Sequence, residues 1–190
     1  MTPVTEKGSE TRAAVLDRAV DLASAEGLEG LTIGRLAGEL RMSKSGLFAH
    51  FGSKQELQLA TIAAAAERFR AAVVAPALEA PEGAERLRAM SERYLEQLHD
   101  YSGGCFWAAT SAEFDDRPGP VRDAIAAALD AWMAELVRQA RIAGVERPER
   151  FAFELYSLVM GANARYRLSG DERVFDYASE ALARLSAELP

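Results

Sequence analysis

Lys44, Ser45 and Gly46 stand in a row, with Ala49 and His50 close behind, in a window that lacks acids. Between Glu39 and Glu56 the charged side chains are Arg41, Lys44 and Lys54. Cations of this kind meet phosphate oxygens, and small or polar side chains near the start of a helix let its backbone approach base edges. The chemistry within reach is binding to a polyanion rather than bond-making. A second acid-free window runs from Leu155 to Gly170 with Arg165 and Arg167, so charge alone does not single out the first. Spacing decides.

The elements that carry these residues are short helices with readable ends. Thr32 is placed to cap a helix whose Ile33, Leu36, Ala37 and Leu40 follow the spacing of one buried face. After Arg41 and Met42, Ser43 caps a third helix carrying Leu47, Phe48 and Phe51 and ending near Gly52. Two short amphipathic helices joined by a tight turn, the second with a basic outer surface, are a helix-turn-helix signature. Leu36, Ala37, Leu40, Leu47 and Phe51 would hold the pair together, leaving Lys44, Ser45, Gly46, Ala49 and His50 outward.

Around this pair every strongly periodic segment has the helical period, and no sustained strand alternation occurs, so the fold class is all-α. The first helix is expected from an N-cap at Ser9 to Gly27. Ser53 and Glu56 read as a capping box for a fourth, which carries Leu59, Ile62, Ala66, Phe69 and Val73 and is expected to end before Pro76. That helix is long enough to link two bodies. Further helices are expected at 82–101, 105–114, 119–143, 147–168 and 171–188, separated by Gly- and Pro-containing turns. The organisation is a three-helix unit at 1–52, joined by the linking helix to a helical bundle within 53–190.

The chain has 190 residues, 22 Lys+Arg and 29 Asp+Glu, for a net charge of -7. Net acidity ordinarily argues against a nucleic-acid partner, but residues 1–57 carry only -1 of it and residues 58–190 carry -6. No apolar run has membrane-spanning length, and the acids of the first thirty residues predict no secretory signal, so the expected compartment is the cytoplasm. One cysteine and two histidines cannot build a zinc site or an internal disulfide. No cofactor or metal is expected. An enzyme is disfavoured as well: no phosphate loop or nucleophile elbow appears, and Glu113, Asp115 and Asp116 read as a solvated helix end.

Leu31-Thr32-Ile33 through Leu36-Ala37, then Ser43 to Phe51 and Ser53 to Leu57, together resemble the DNA-binding domain of the tetracycline-repressor (TetR) family. The likeness covers about residues 10–60. It implies a homodimeric, ligand-responsive regulator of transcription, with a small molecule in the C-terminal body releasing a double-stranded DNA operator. The rival class is a helical adaptor that binds no DNA. By the resemblance, Thr32 and Lys54 meet phosphates, Lys44, Ser45 and Gly46 face the major groove, and His50 lies beside the DNA backbone. Ser43 and Arg41 belong to the same face. Two positions depart from the family pattern. Phe48 lacks the usual tyrosine hydroxyl, so its ring can only pack. Arg41 replaces a turn glycine and is expected in a left-handed backbone, at about 1–2 kcal/mol. His50 has packing or capping as its alternative role, and Lys54 has neutralisation of Glu56.

In the C-terminal body, Phe106, Trp107, Trp132, Tyr156 and Met160 carry more bulk than a simple bundle seam needs, and Tyr94 is placed to supply an orienting polar group. With Asn163 they are the candidate lining of a ligand cavity. The expected ligand is mainly hydrophobic, with Arg165 and Arg167 leaving a weakly acidic one open. The helix at 147–168 is apolar on two faces, Phe151 and Leu155 on one, Phe153, Tyr156 and Met160 on the other. Phe151 and Leu155, with Val174, Phe175, Ala178, Leu182 and Leu185 of the last helix, are the candidate dimer interface. Cys105 is either a redox-sensitive thiol at a helix start or a small buried hydrophobe.

Overall fold

A computed structural model describes residues 6–187 and 189, and among them the regular elements are all helical. The first, α1 (Glu6–Gly30), begins before Ser9 and is broken at Gly27, whose φ of 79° and ψ of 164° leave the helical region. Ser9 therefore lies inside the helix and not at its cap. Two eight-residue helices follow, α2 (Ile33–Leu40) and α3 (Lys44–Phe51). Next come α4 (Lys54–Phe69), α5 (Ala84–Gln97), α6 (Phe106–Phe114), α7 (Pro120–Ile142), α8 (Pro148–Ser169) and α9 (Arg173–Ser186). Among the described residues no helix is long and apolar enough to cross a membrane.

Pro76 does not end the fourth helix, contrary to expectation. Past Phe69 the chain widens into a π-helical turn, Arg70–Val74, in which the Ala75 N–H donates to the Arg70 carbonyl five residues back. It then continues through Ala75–Ala77. A regular helix would drive the proline ring into the carbonyl four residues earlier, and the wide turn relieves that collision. The capping box at its other end is only half formed. Ser53 Oγ accepts the Glu56 N–H, but the Ser53 N–H donates to the Phe51 carbonyl instead of to Glu56.

The bundle is organised around α7, which packs on α4, α5, α6 and α8, with α9 laid on α8 and α5. The N-terminal unit is fastened to it because α1 lies against both α4 and α6. Polar ties reinforce that junction. Glu113 of α6 accepts the N–H groups of Leu28 (2.7 Å) and Glu29 (3.0 Å), which the break at Gly27 leaves without helical partners. Ser102 and Gly103 donate their N–H groups to Asp21 Oδ1 and Ser24 Oγ. Gly103 sits so close that a Cβ there would fall 2.0 Å from the Ser24 backbone carbon. Only glycine fits.

Candidate nucleic-acid interface and regulatory cleft

The turn between α2 and α3 is built by local hydrogen bonds. Thr32 Oγ1 accepts the Arg35 N–H at 3.0 Å and Ser43 Oγ accepts the Gly46 N–H at 3.1 Å, each opening its helix. Arg41 closes α2 at φ 52° and ψ 36°, with the Met42 N–H reaching the Ala37 carbonyl at 2.9 Å. This is the wrap that glycine usually provides, held here by an arginine. Leu47 and Phe51 turn inward on Leu36 and Ala37. Lys44, Ser45 and Ala49 are exposed, and so is Phe48, at 56%.

A Cβ at Gly34 would stand 3.5 Å from Lys44 Cε and 3.9 Å from Thr32 Oγ1, so Thr32 and Lys44 border one patch of surface. Gly46 is half-buried, and a Cβ there would press on Ser43 Oγ at 3.0 Å, so its smallness serves the cap. His50 is half-buried with its ring tilted against Phe51. Lys54 Nζ donates to Glu29 at 2.9 Å, so its acidic partner is Glu29 rather than Glu56.

Three acids of this unit, Asp21, Glu26 and Glu39, are held by arginines of α1 and α2. Arg18 pairs with Asp21 and Glu39, and Arg35 pairs with Glu26 (2.6 Å) and Glu39 (2.9 Å). Hydrogen bonds from Arg18 and then Arg35 hold the Glu39 carboxyl below its ordinary range. Among the described residues no ion pair engages Arg41 or Lys44. The turn before α3 and the start of α3 thus present two cations, Arg41 and Lys44, with their charge uncommitted, which suits a polyanion.

In the bundle, a half-open cleft of about 310 Å³ lies between α4, the π turn, the start of α6 and α7. Trp107 and Trp132 line it with Phe69, Arg70, Leu129 and Glu135. Tyr94 and Phe106 are fully buried behind it: Tyr94 packs edge-to-face on Trp132 at 5.6 Å and Phe106 on Trp107 at 5.1 Å. Tyr156, Met160 and Asn163 do not reach the cleft. Asn163 Oδ1 instead accepts the Cys105 N–H at 2.8 Å, serving the start of α6. Arg167 is also used elsewhere, donating to the Ser102 carbonyl. Sequence reasoning passed over Arg70 and Glu135; Pro76 downstream of an unbroken helical pattern was the one signal for the irregular turn that presents Arg70.

Cys105 is buried, and desolvation pushes its thiol up, despite hydrogen bonds that act the other way. The thiol lies 3.7 Å from the Tyr94 hydroxyl. It behaves as a small core residue.

The two faces of α8 are reversed relative to the expected interface. Phe151 and Leu155 are buried in the chain's own core, as are Ala178, Leu182 and Leu185 of α9, while Val174 and Phe175 are half-buried. Those side chains close α9 onto α8. The exposed aromatics of this surface are Phe153, at 63%, and Tyr177, at 58%.

Two family models match the chain: bacterial regulatory proteins, tetR family, over residues 15–61, and tetracyclin repressor-like, C-terminal domain, over residues 83–182. No curated protein matches it. Among solved structures, it is similar to a TetR-family regulator from Streptomyces coelicolor, with a TM-score of 0.82 at 25% identity over 95% of this chain and 96% of that one. A TetR regulator from Legionella pneumophila superposes with a TM-score of 0.81 at 19% identity, covering 97% of this chain and 98% of the other. AibR, solved in complex with isovaleryl coenzyme A and operator DNA, gives a TM-score of 0.70 at 22% identity over 90% of this chain and 95% of that one.

Proposed function

The chain belongs to the tetR family of bacterial regulatory proteins, and from that premise we propose that it is a homodimeric repressor in the cytoplasm, released from its DNA operator by a small hydrophobic molecule. The DNA-binding unit is assigned to residues 1–52 and the regulatory and dimerising body to 53–190. The observation that carries the reading is the exposed face of α3. Lys44 on that face and Arg41 in the turn before it hold uncommitted charge beside the capping residues Thr32 and Ser43.

On a duplex, Lys44, Ser45 and Gly46 enter the major groove, Thr32, Arg41 and Lys54 meet phosphates, and His50 lies along the DNA backbone. The exposed Phe48 ring packs against sugar where a hydroxyl would have bonded phosphate. Lys54 must exchange Glu29 for phosphate, a swap between two exposed ion pairs that costs little. The two-fold axis runs past Phe153 and Tyr177, whose exposure a second copy would relieve.

Release follows from α6. A ligand in the cleft bears on Trp107 at the start of that helix, and Glu113 near its end grips the amides of Leu28 and Glu29 just ahead of α2. Moving α6 therefore moves α2 and α3, and two recognition helices no longer fit successive major grooves. The ligand acts only to the extent that it binds the released state better; a hundredfold loss of operator affinity takes about 2.7 kcal/mol of that preference. A gel-shift on the DNA upstream of the chain's own coding region tests the reading. A retarded band that Lys44→Ala weakens is expected, and a helical adaptor would give none.

A further inference from the structure

The cleft has an unusual polar inventory. Its two charged side chains are already spent: Arg70 is held bidentately by Glu67, and Glu135 by Arg138 and Gln139. The alanines Ala66 and Ala128 leave a slot between α4 and α7, floored by the indole of Trp132 and the ring of Phe69, which meet edge-to-face at 4.9 Å. One polar group in this ring stack has no partner. Trp132 is 6% exposed, and its Nε1–H is cut off from solvent without any hydrogen-bond acceptor. Indole N–H groups that are buried normally find one.

We propose that the cleft selects a neutral, flat, largely apolar molecule bearing one carbonyl or ether oxygen, and that the Trp132 indole N–H is the donor that reads that oxygen. An ionised ligand would lose its hydration in an apolar slot whose two bordering charges, Arg70 and Glu135, already have partners of opposite sign, so neutrality follows from desolvation. Flatness follows from a slot bounded by aromatic faces and alanines. The oxygen is selected because an unpaired buried N–H is costly, and a ligand acceptor removes that cost where a pure hydrocarbon does not.

Since the N–H is sealed, the oxygen reaches it only as the indole or Phe69 shifts. Phe69 is the last residue before the π turn, where one extra residue per turn gives the backbone slack. Pairing with Trp132 and adjustment of the linking helix are then one event. The inference rests on reading the cleft as the effector site, and it adds the chemistry of the effector.

The test is calorimetric titration of the full-length protein with 2-acetonaphthone, 2-ethylnaphthalene and 2-naphthoate, in the wild type and in Trp132→Phe, which keeps an aromatic ring and removes the donor. The ketone should bind wild type more tightly than the hydrocarbon does and weaken about tenfold in Trp132→Phe. The hydrocarbon should bind both proteins alike, and the naphthoate neither. Ala128→Phe, which fills the slot from a half-exposed helical position, should abolish both neutral complexes with the fold intact by circular dichroism. Equal effects of Trp132→Phe on ketone and hydrocarbon, tighter binding of naphthoate, or no binding of any probe would overturn the proposal. None of these outcomes touches the gel-shift of the unliganded protein, whose failure would instead remove the DNA-binding reading.

Discussion

The face of α3 and the cleft beside Trp132 are built by opposite means. The first is set within two dozen residues by three side-chain caps, one left-handed arginine and a pair of eight-residue helices, and its working side chains stand in solvent. The second draws on α4, α6, α7 and an irregular turn, and its working side chains are mostly packed against one another. A region of the first kind changes partners without changing shape. A region of the second kind passes on any shift that a bound molecule imposes on its walls, because packed interiors transmit displacement. The contact between them, through Glu113, Ser102 and Gly103, is where one behaviour becomes the other.

Breaking that contact should produce the largest effect. In Gly103→Ala the new methyl meets the Ser24 backbone, which cannot step aside as a flexible side chain could. We predict a loss of about 3 kcal/mol, seen as a drop of roughly 10 °C in thermal unfolding. An unchanged midpoint would mean that α1 and the loop before α6 are not held together in solution.

Lys44→Ala removes an uncommitted cation from a surface that plays no part in packing. Stability should stay within about 0.5 kcal/mol, while DNA affinity falls by about 1–3 kcal/mol. A relaxed preference at one base pair would identify a base contact, and a uniform loss with a shallower salt dependence a phosphate contact. Equal affinity would take Lys44 out of the interface.

Arg41→Gly separates the fold of the turn from its charge. Relief of the left-handed backbone should raise stability by about 1 kcal/mol by chemical denaturation. The salt dependence of DNA binding should become shallower by about one phosphate contact per subunit. Decreased stability would show that the Arg41 side chain, and not the turn geometry, holds α2.

The smallest effect is expected at Cys105. Burial raises its thiol, so alkylation by iodoacetamide at pH 8 should proceed far more slowly than for a free thiol, and peroxide should leave DNA binding unchanged. Rapid alkylation of the folded protein would mean that the contact with Tyr94 opens readily.

The same contrast explains how much could be read beforehand. Thr32, Ser43 and Ser53 are legible because a cap and its amide lie three residues apart, whereas the left-handed Arg41 is legible only through the family resemblance, which puts a turn glycine there. Pro76 misleads, since a proline signals a helix end unless the chain has room to widen, and that room belongs to the bundle. Tyr156 and Asn163 lie away from the cleft, which the sequence could not show for a related reason. Nothing local tells a polar side chain that serves a neighbouring helix from one that serves a ligand. Glu113 reads as a solvated helix end, yet its partners lie 85 and 84 positions away in the chain. On α8, hydrophobicity identifies two apolar faces but not which one the chain keeps for itself.

Selection of bound duplexes from a random pool by the wild-type protein tests the central claim most directly. The account predicts an enriched inverted repeat whose half-sites are about 34–36 Å apart, one turn of the double helix, or a multiple of it. No enrichment, or a site without two-fold symmetry, would contradict it.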